Sequence, residues 1–286
     1  MQKRLSRILL RPFSLVALAA ALTACGGGGG GGGNDQGSGG SADAGAGTSA
    51  PETAQDTGSV SAAFAANGKA TPGYFMNGVA SQVLGQLNTF TQTSSGAMAA
   101  LNDTSLAGAP TATQDISGDA FQTQGRWTLG TVTNPSGTRV LSGNNAAYHY
   151  LAYNRLSAFP TSGSFTCDAG RFTAPTYIGG TAVQPAAYSG TTTSSAATLV
   201  FSSAGATVTA NYNVQAGNGT ESGRISVTVP GPTSTAIDGP YLGGDWGSVT
   251  AIGDGGNGTF LIAVAYKSLL SNGAIYQGVA NLRCGA

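Results

Sequence analysis

Charge is scarce in this chain. Of 286 residues, 12 are Lys or Arg and 12 are Asp or Glu, and the formal net charge is zero. A typical soluble domain is about one quarter charged, so Ser, Thr, Asn and Gln must supply the polar surface. Without a basic excess there is no electrostatic footprint for a phosphate backbone or an acidic headgroup layer, which excludes nucleic acid as a partner class. His149 is the single histidine. One imidazole and three cysteines without a CxxC cannot make a structural zinc site, so no metal and no cofactor are expected. No GxSxG elbow is present, and no apolar run approaches the roughly 20 residues that a spanning helix needs.

The N-terminus is organised in zones. Lys3, Arg4, Arg7 and Arg11 form a positive stretch, Leu15–Leu22 a short apolar one, and Leu22-Thr23-Ala24-Cys25 follows. This order reads as an export signal, and its last four residues resemble the bacterial lipobox. In lipoproteins of that kind the cysteine thiol receives a diacylglyceryl group, the chain is cut before it, and the new amine is acylated. The resemblance implies a signal peptide over 1–24 and lipidation at Cys25. An ordinary cleaved signal with an unmodified cysteine is the plainer alternative. Each buried CH₂ of an acyl chain contributes about 0.8 kcal/mol, so several chains hold permanently where one holds reversibly. Gly26 stands where an inner-membrane retention signal would place Asp. The expected partner is therefore the outer membrane, reached through the lipid, with the rest of the chain on its periplasmic face or at the cell surface.

Residues 25–60 read as a flexible tether. Gly26–Gly33 is an unbroken glycine run, followed by a stretch rich in Gly, Ser, Ala and Asp with few apolar side chains to offset ordering. A phosphate-binding loop would need Gly-Lys-Ser/Thr after the glycines and a strand before them, and neither is present.

Apolar residues return in 61–117, which reads as a segment packed on the portion that follows. Val79, Val83, Leu87 and Phe90 recur at spacings of four, four and three, the period of one helix face, so a short helix over 76–92 is expected. Gly78 and Gly85 weaken a helix, and a strand pair is the alternative. From 118 to 286 the period becomes two. Ala210, Tyr212 and Val214 alternate with polar residues, as do Ile225, Val227 and Val229, and Phe260, Ile262, Val264 and Tyr266. Further strands are expected over 121–133, 146–154, 163–173, 196–203 and 274–284, the last after an Asn272-Gly273 hairpin turn. The fold class is mainly all-β, an antiparallel barrel or sandwich of about eight strands. A transmembrane barrel is a weaker alternative, because the strands are mostly short and aromatic girdles are missing.

Lipidation of Cys25 leaves Cys167 and Cys284, an even pair in an oxidising compartment, and a disulfide between them is expected. Two free or metal-ligating thiols are the rival. His149, flanked by Tyr148 and Tyr150, would have to serve any Ser-His-Asp site, with a carboxylate such as Asp168 as its partner; a sheet-surface or strand-end histidine is the simpler reading. Gly253, Gly255 and Gly258 match GxGxxG, but a strand follows them where the dinucleotide fingerprint requires a helix, so they read as a turn. Asp238, Asp245 and Asp254 lie among glycines without calcium-loop spacing, and Asn102, Asn218 and Asn257 open incidental N-x-T sequons. Trp127, Tyr148, Tyr150, Tyr153, Tyr212, Trp246 and Tyr266 either line a cavity or contact patch or pack the core.

One stretch carries a resemblance. His149-Tyr150-Leu151 followed by Phe159-Pro160-Thr161-Ser162-Gly163-Ser164-Phe165 is similar to a strand-turn-strand of the transferrin-binding-protein-B-like surface lipoproteins, a group that includes the factor-H-binding protein. Ala174-Pro175-Thr176 and the strands around 199–201 and 208–214 are compatible with it, and about 70 residues are covered. The group's closing pattern is missing around Gly258-Thr259-Phe260, and no binding residue carries over. The resemblance implies a lipid-anchored, eight-stranded barrel that binds a protein partner or a small ligand and is not an enzyme. A structural envelope component without a ligand is the main alternative, and a hydrolase using His149 a distant third.

Overall fold

The computed structural model describes residues 55–78, 81–142, 146–180, 190–230, 236–238 and 247–285. Among them there is no helix, and the strands form two sheets. The first holds β1 (Gly58–Val60), β2 (Gly73–Gly78), β3 (Ser81–Gln86), β4 (Phe90–Gln92), β5 (Met98–Leu101), β6 (Thr104–Asp119), β7 (Gln122–Asn134), β8 (Gly137–Ser142) and β9 (Tyr148–Tyr153). Their order is β3-β2-β9-β7-β6-β5-β4, with β8 also on β7 and β1 on β6, and the sheet curves into a half-barrel. The second holds β10 (Gly163–Cys167), β11 (Arg171–Phe172), β12 (Thr176–Gly180), β13 (Thr191–Ser202), β14 (Gly205–Ala216), β15 (Gly219–Pro230), β16 (Ala236–Asp238), β17 (Gly247–Gly256), β18 (Thr259–Leu269) and β19 (Ala274–Gly285). It runs β15-β14-β13-β10-β19-β18-β17-β16, with β11 and β12 also on β19, as a nearly closed barrel. Every pairing is antiparallel except β1 with β6. The all-β class and antiparallel barrel architecture expected from the period-two pattern are those of the structure.

The short helix expected over 76–92 is replaced by strands. Phe75 and Met76 of β2 pair with Leu84 and Val83 of β3 on one side and with Leu151 and Tyr150 of β9 on the other. Val83, Leu87 and Phe90 do share one apolar core, as their spacing suggests, but they reach it from β3, from its exit and from β4. Long-range pairing of β2 outweighs a helical signal that Gly78 and Gly85 already weaken.

The range 25–60 read as tether also ends in structure. Thr57 N–H donates to Thr113 O at 2.9 Å, and Gly58–Val60 pair with Ile116–Gly118. Gly58 has φ +87, and a Cβ there would sit 2.2 Å from Ile116 O, so only glycine fits this contact. The division between the sheets falls between Tyr153 and Gly163, so the strands of 118–153 complete the first sheet.

Strand periodicity sorts side chains into three cores. Tyr148, Tyr150 and Ala152 of β9 point into the half-barrel with Trp127, Met98 and Leu101. Leu151 and Tyr153, on the opposite face, join Phe75 against Val249, Leu261 and Val279 of the second sheet. All six residues of β9 are therefore buried. The barrel interior is the third core, filled by Leu199, Val208, Val214, Ile262, Val264 and Tyr266 among others.

Five tyrosines follow one rule. Tyr153, Tyr150, Tyr212 and Tyr266 stand directly opposite Gly73, Gly125, Gly223 and Gly278 on the neighbouring strands. A Cβ on any of these glycines would lie within 2.1–2.5 Å of the facing ring, and Gly78 has the same relation to Tyr148. Each ring lies across the strand over a position without a side chain, which is how aromatic residues compensate glycine in sheets.

Candidate functional site

Cys25, the proposed lipidation site, lies outside the described residues, as do Asp245 and Trp246. The other sequence candidates fall on identifiable elements. Cys167 near the end of β10 and Cys284 near the end of β19 are register partners and form a disulfide, with Cα atoms 3.9 Å apart. Asp168, the next residue, accepts from the backbone N–H of Gly170 at 3.0 Å and of Arg283 at 2.8 Å. Its carboxylate thus turns the chain after the disulfide strand.

His149 lies elsewhere, at the junction of the sheets. Its side chain leaves β9 on the face opposite Tyr148 and Tyr150 and is fully buried. Nδ1 is 2.7 Å from Thr173 Oγ1, and Nε2 is 2.9 Å from Thr176 Oγ1, both from the second sheet's side of the junction. Burial, assisted by the Arg126 guanidinium, holds the imidazole pKa well below its ordinary value, so the ring is neutral at pH 7. Both nitrogens are engaged by hydroxyls, and neither Asp168 nor another carboxylate is among the bonded partners. The arrangement fastens two sheets; it does not present a base to solvent.

Other polar links share the junction. Gln124 Oε1 accepts from Asn281 Nδ2 at 2.8 Å, and Asn77 Nδ2 donates to Gly278 O at 3.3 Å. Arg126 pairs through Nε with Asp115 at 3.0 Å, and Asp115 also accepts the Ala174 N–H at 2.9 Å. Arg283 reaches from β19 to Asp119 and Gly255 O. Asp254, one of the three glycine-flanked acids, accepts from Lys69 Nζ at 3.0 Å, Asn67 Nδ2 at 3.1 Å and Gly256 N–H at 2.9 Å. Burial opposes ionisation of Asp254, but these donors outweigh it and its pKa is lowered. Asp238 pairs with Ser248 through the backbone. Among the described residues no group of three or more His, Cys, Asp or Glu is placed to hold a metal.

Gly253, Gly255 and Gly258 lie in the β17–β18 hairpin, whose Asn257-Gly258 turn has φ +52 and +79. That is the left-handed geometry of a tight hairpin, not a pyrophosphate cradle. Asn102 also has positive φ; its side chain accepts the Asn88 and Thr89 N–H groups and donates to Gln86 O. The aromatic residues Trp127, Tyr148, Tyr150, Tyr153, Tyr212 and Tyr266 pack in the cores, with Trp127 Nε1 donating to Met98 O at 2.6 Å. The barrel interior keeps a recess of about 10 Å³ between Phe172, Tyr212, Ile225 and Tyr266, no more than one water needs.

The segment of residues 61–72, part of the stretch that the sequence reads as packed on the portion that follows, contacts both sheets. Phe64 enters the half-barrel core against Phe90, and Asn154 Nδ2 donates to Ala65 O at 2.9 Å. Its only sequence signal was one apolar residue among small ones. No family model, curated protein or solved structure matches this chain.

Proposed function

We propose that this chain is a bacterial envelope lipoprotein, fastened to the outer membrane through Cys25, whose two-sheet β portion binds a partner through its outer surface and catalyses no reaction. The observation that carries the anchoring is the Leu22-Thr23-Ala24-Cys25 motif behind a basic and then apolar leader. Binding in place of catalysis is supported by His149, the one imidazole, which is enclosed and hydrogen-bonded on both nitrogens. Recognition at the outer surface is supported by the recess between Phe172, Tyr212, Ile225 and Tyr266, which at about 10 Å³ is too small for an organic ligand.

The similarity to transferrin-binding-protein-B-like lipoproteins is consistent with this reading. The residues that carry it, His149–Leu151 and Phe159–Phe165, span the passage from β9 to β10, where the chain leaves one sheet for the other. Phe159 and Phe165 then pack on Phe201 of the barrel. The alternative of a purely structural envelope component predicts no partner outside the envelope.

Metabolic labelling with an acyl probe tests the anchor. Wild-type protein is expected to label and fractionate with the outer membrane, whereas Cys25→Ala should lose both properties. Equal labelling of the variant rejects the assignment. Crosslinking of the full chain in intact cells, followed by mass identification, separates binding from a purely structural role.

A further inference from the structure

The seam between the two sheets is apolar at its centre and polar along its flank. Phe75 and Leu151 of the first sheet meet Val249, Leu261 and Val279 of the second. Beside them lie His149, Asn77, Gln82, Thr173, Thr176 and Gln277. Of these, Gln82 Oε1 and Gln277 Nε2 are buried without a hydrogen-bond partner among the described residues, so part of the desolvation cost of closing the flank is uncompensated.

We propose that His149 is an acid-sensitive pin: below neutral pH, uptake of one proton by the imidazole removes the ring's acceptor for the Thr176 hydroxyl and loosens the seam between the sheets. The bonding pattern suits the neutral ring. Thr173 Oγ1 accepts the Val279 N–H at 3.1 Å and lies 3.3 Å from Val279 O, to which its own hydrogen is directed. It therefore accepts from Nδ1–H, which leaves Nε2 to accept the Thr176 hydroxyl hydrogen. An imidazolium has two donors and no acceptor, so Thr176 would have to reverse its hydroxyl.

The charges around the ring do not favour the cation. On β7 the residue opposite His149 is Arg126. Its partner Asp115 on β6 is occupied by that guanidinium and by the Ala174 N–H. Next to His149, β2 supplies the uncharged Asn77, residues 173–176 supply two hydroxyls, and β19 supplies Val279 and Gln277. Burial and Arg126 depress the closed-state pKa. In an open seam the ring returns to about 6.5. The open state then binds the proton and the closed state does not, so closure is fully stable above about pH 6.5 and weakens as pH falls, until the depressed value is reached. Below about pH 6.5 the opening constant rises with falling pH, approaching tenfold per pH unit as the open-state ring becomes fully protonated.

Amide hydrogen exchange on the full-length mature chain between about pH 7.5 and 5, corrected for intrinsic rates, tests this. The Val279 amide, bonded to Thr173, reports on the seam, and Val208 in β14 reports on the barrel wall. Wild-type protein should show about a fivefold rise in opening at Val279 from pH 6.5 to 5.5, with little change at Val208. His149→Gln retains a donor and an acceptor but takes no charge, and should flatten the Val279 profile. A flat wild-type profile, or equal pH dependence in the variant, overturns the proposal. Should His149→Gln fail to fold, the wild-type imidazole resonance decides, since there is one histidine per chain. No titration above about pH 5.5 in the folded protein supports the pin, and a midpoint near 6.5 overturns it.

Discussion

At the scale of single residues, the tyrosine–glycine pairs explain why so glycine-rich a chain builds regular sheet. Glycine weakens a strand because it loses more backbone freedom and packs nothing. A tyrosine opposite it covers the gap, as Tyr266 does over Gly278, and the missing Cβ is what lets the ring lie flat. Gly278→Ala would place a methyl group 2.4 Å from Tyr266 Oη in the buried barrel wall. Such overpacking typically costs about 1–3 kcal/mol. Denaturant unfolding should show a loss of that size for Gly278→Ala. It should show little for Gly→Ala at Gly68, whose Cβ would meet nothing within 4 Å, beyond the strain of its φ of +72.

The decisive contacts at the scale of elements are those that hold strand ends. The last strand, β19, is the hub of the barrel, pairing with β10, β11, β12 and β18. The Cys167–Cys284 bridge, spanning 117 residues of sequence, fastens its terminal turn of ladder to β10. Loss of a native bridge usually costs about 2–5 kcal/mol, an amount whose entropic origin is model-dependent. Cys167→Ala, Cys284→Ala and the double variant should lose the same stability in that range, because each removes the same bond. Urea midpoints compare them, and a double variant markedly weaker than both singles would show that the thiols contribute by other means. At the opposite end of the chain, β1 has no such bond and depends on its parallel pairing to β6 and on Asp56, which accepts the Thr113 N–H at 2.9 Å.

On the scale of the whole molecule, two curved sheets share an apolar patch edged with polar links, and the segment of residues 61–72 bridges them. Asp254 receives that segment through Asn67 and Lys69. Because its folded-state pKa is depressed, the carboxylate contributes stability that is present above its unfolded value near 4 and is lost as pH falls through the folded value. Asp254→Asn should therefore lower the unfolding midpoint at pH 7 and reduce the additional loss below about pH 4. Thermal melts over that range check it, and an unchanged acid limb would remove Asp254 from the account. This window lies below the one assigned to His149, so the two titrations are separable on one pH series.

The features that the sequence determined by itself are those written in neighbouring residues. Period-two alternation over 210–214, 225–229 and 260–266 marked strands that are observed, since each side chain's face follows from its parity in a pleated chain. Cysteine parity, with Cys25 set aside as the proposed lipidation site, pointed to the Cys167–Cys284 bond, Asn272-Gly273 marked the hairpin turn before β19, and Gly253, Gly255 and Gly258 read as a turn before β18. Only the tertiary structure decided what depends on residues far apart. Residues 76–78, 81–86 and 90–92 are strands, and β9, about 75 positions after β2 in the chain, supplies the ladder for β2. Gly58–Val60, at the end of the stretch that reads as a tether, is a strand because β6 offers it an edge. His149 reads as a surface or catalytic histidine along the chain, since nothing local reveals Thr173 and Thr176 closing over it from the other sheet. Local sequence sets which way a side chain points, but burial and charge at that point are set by whichever element folds back against it.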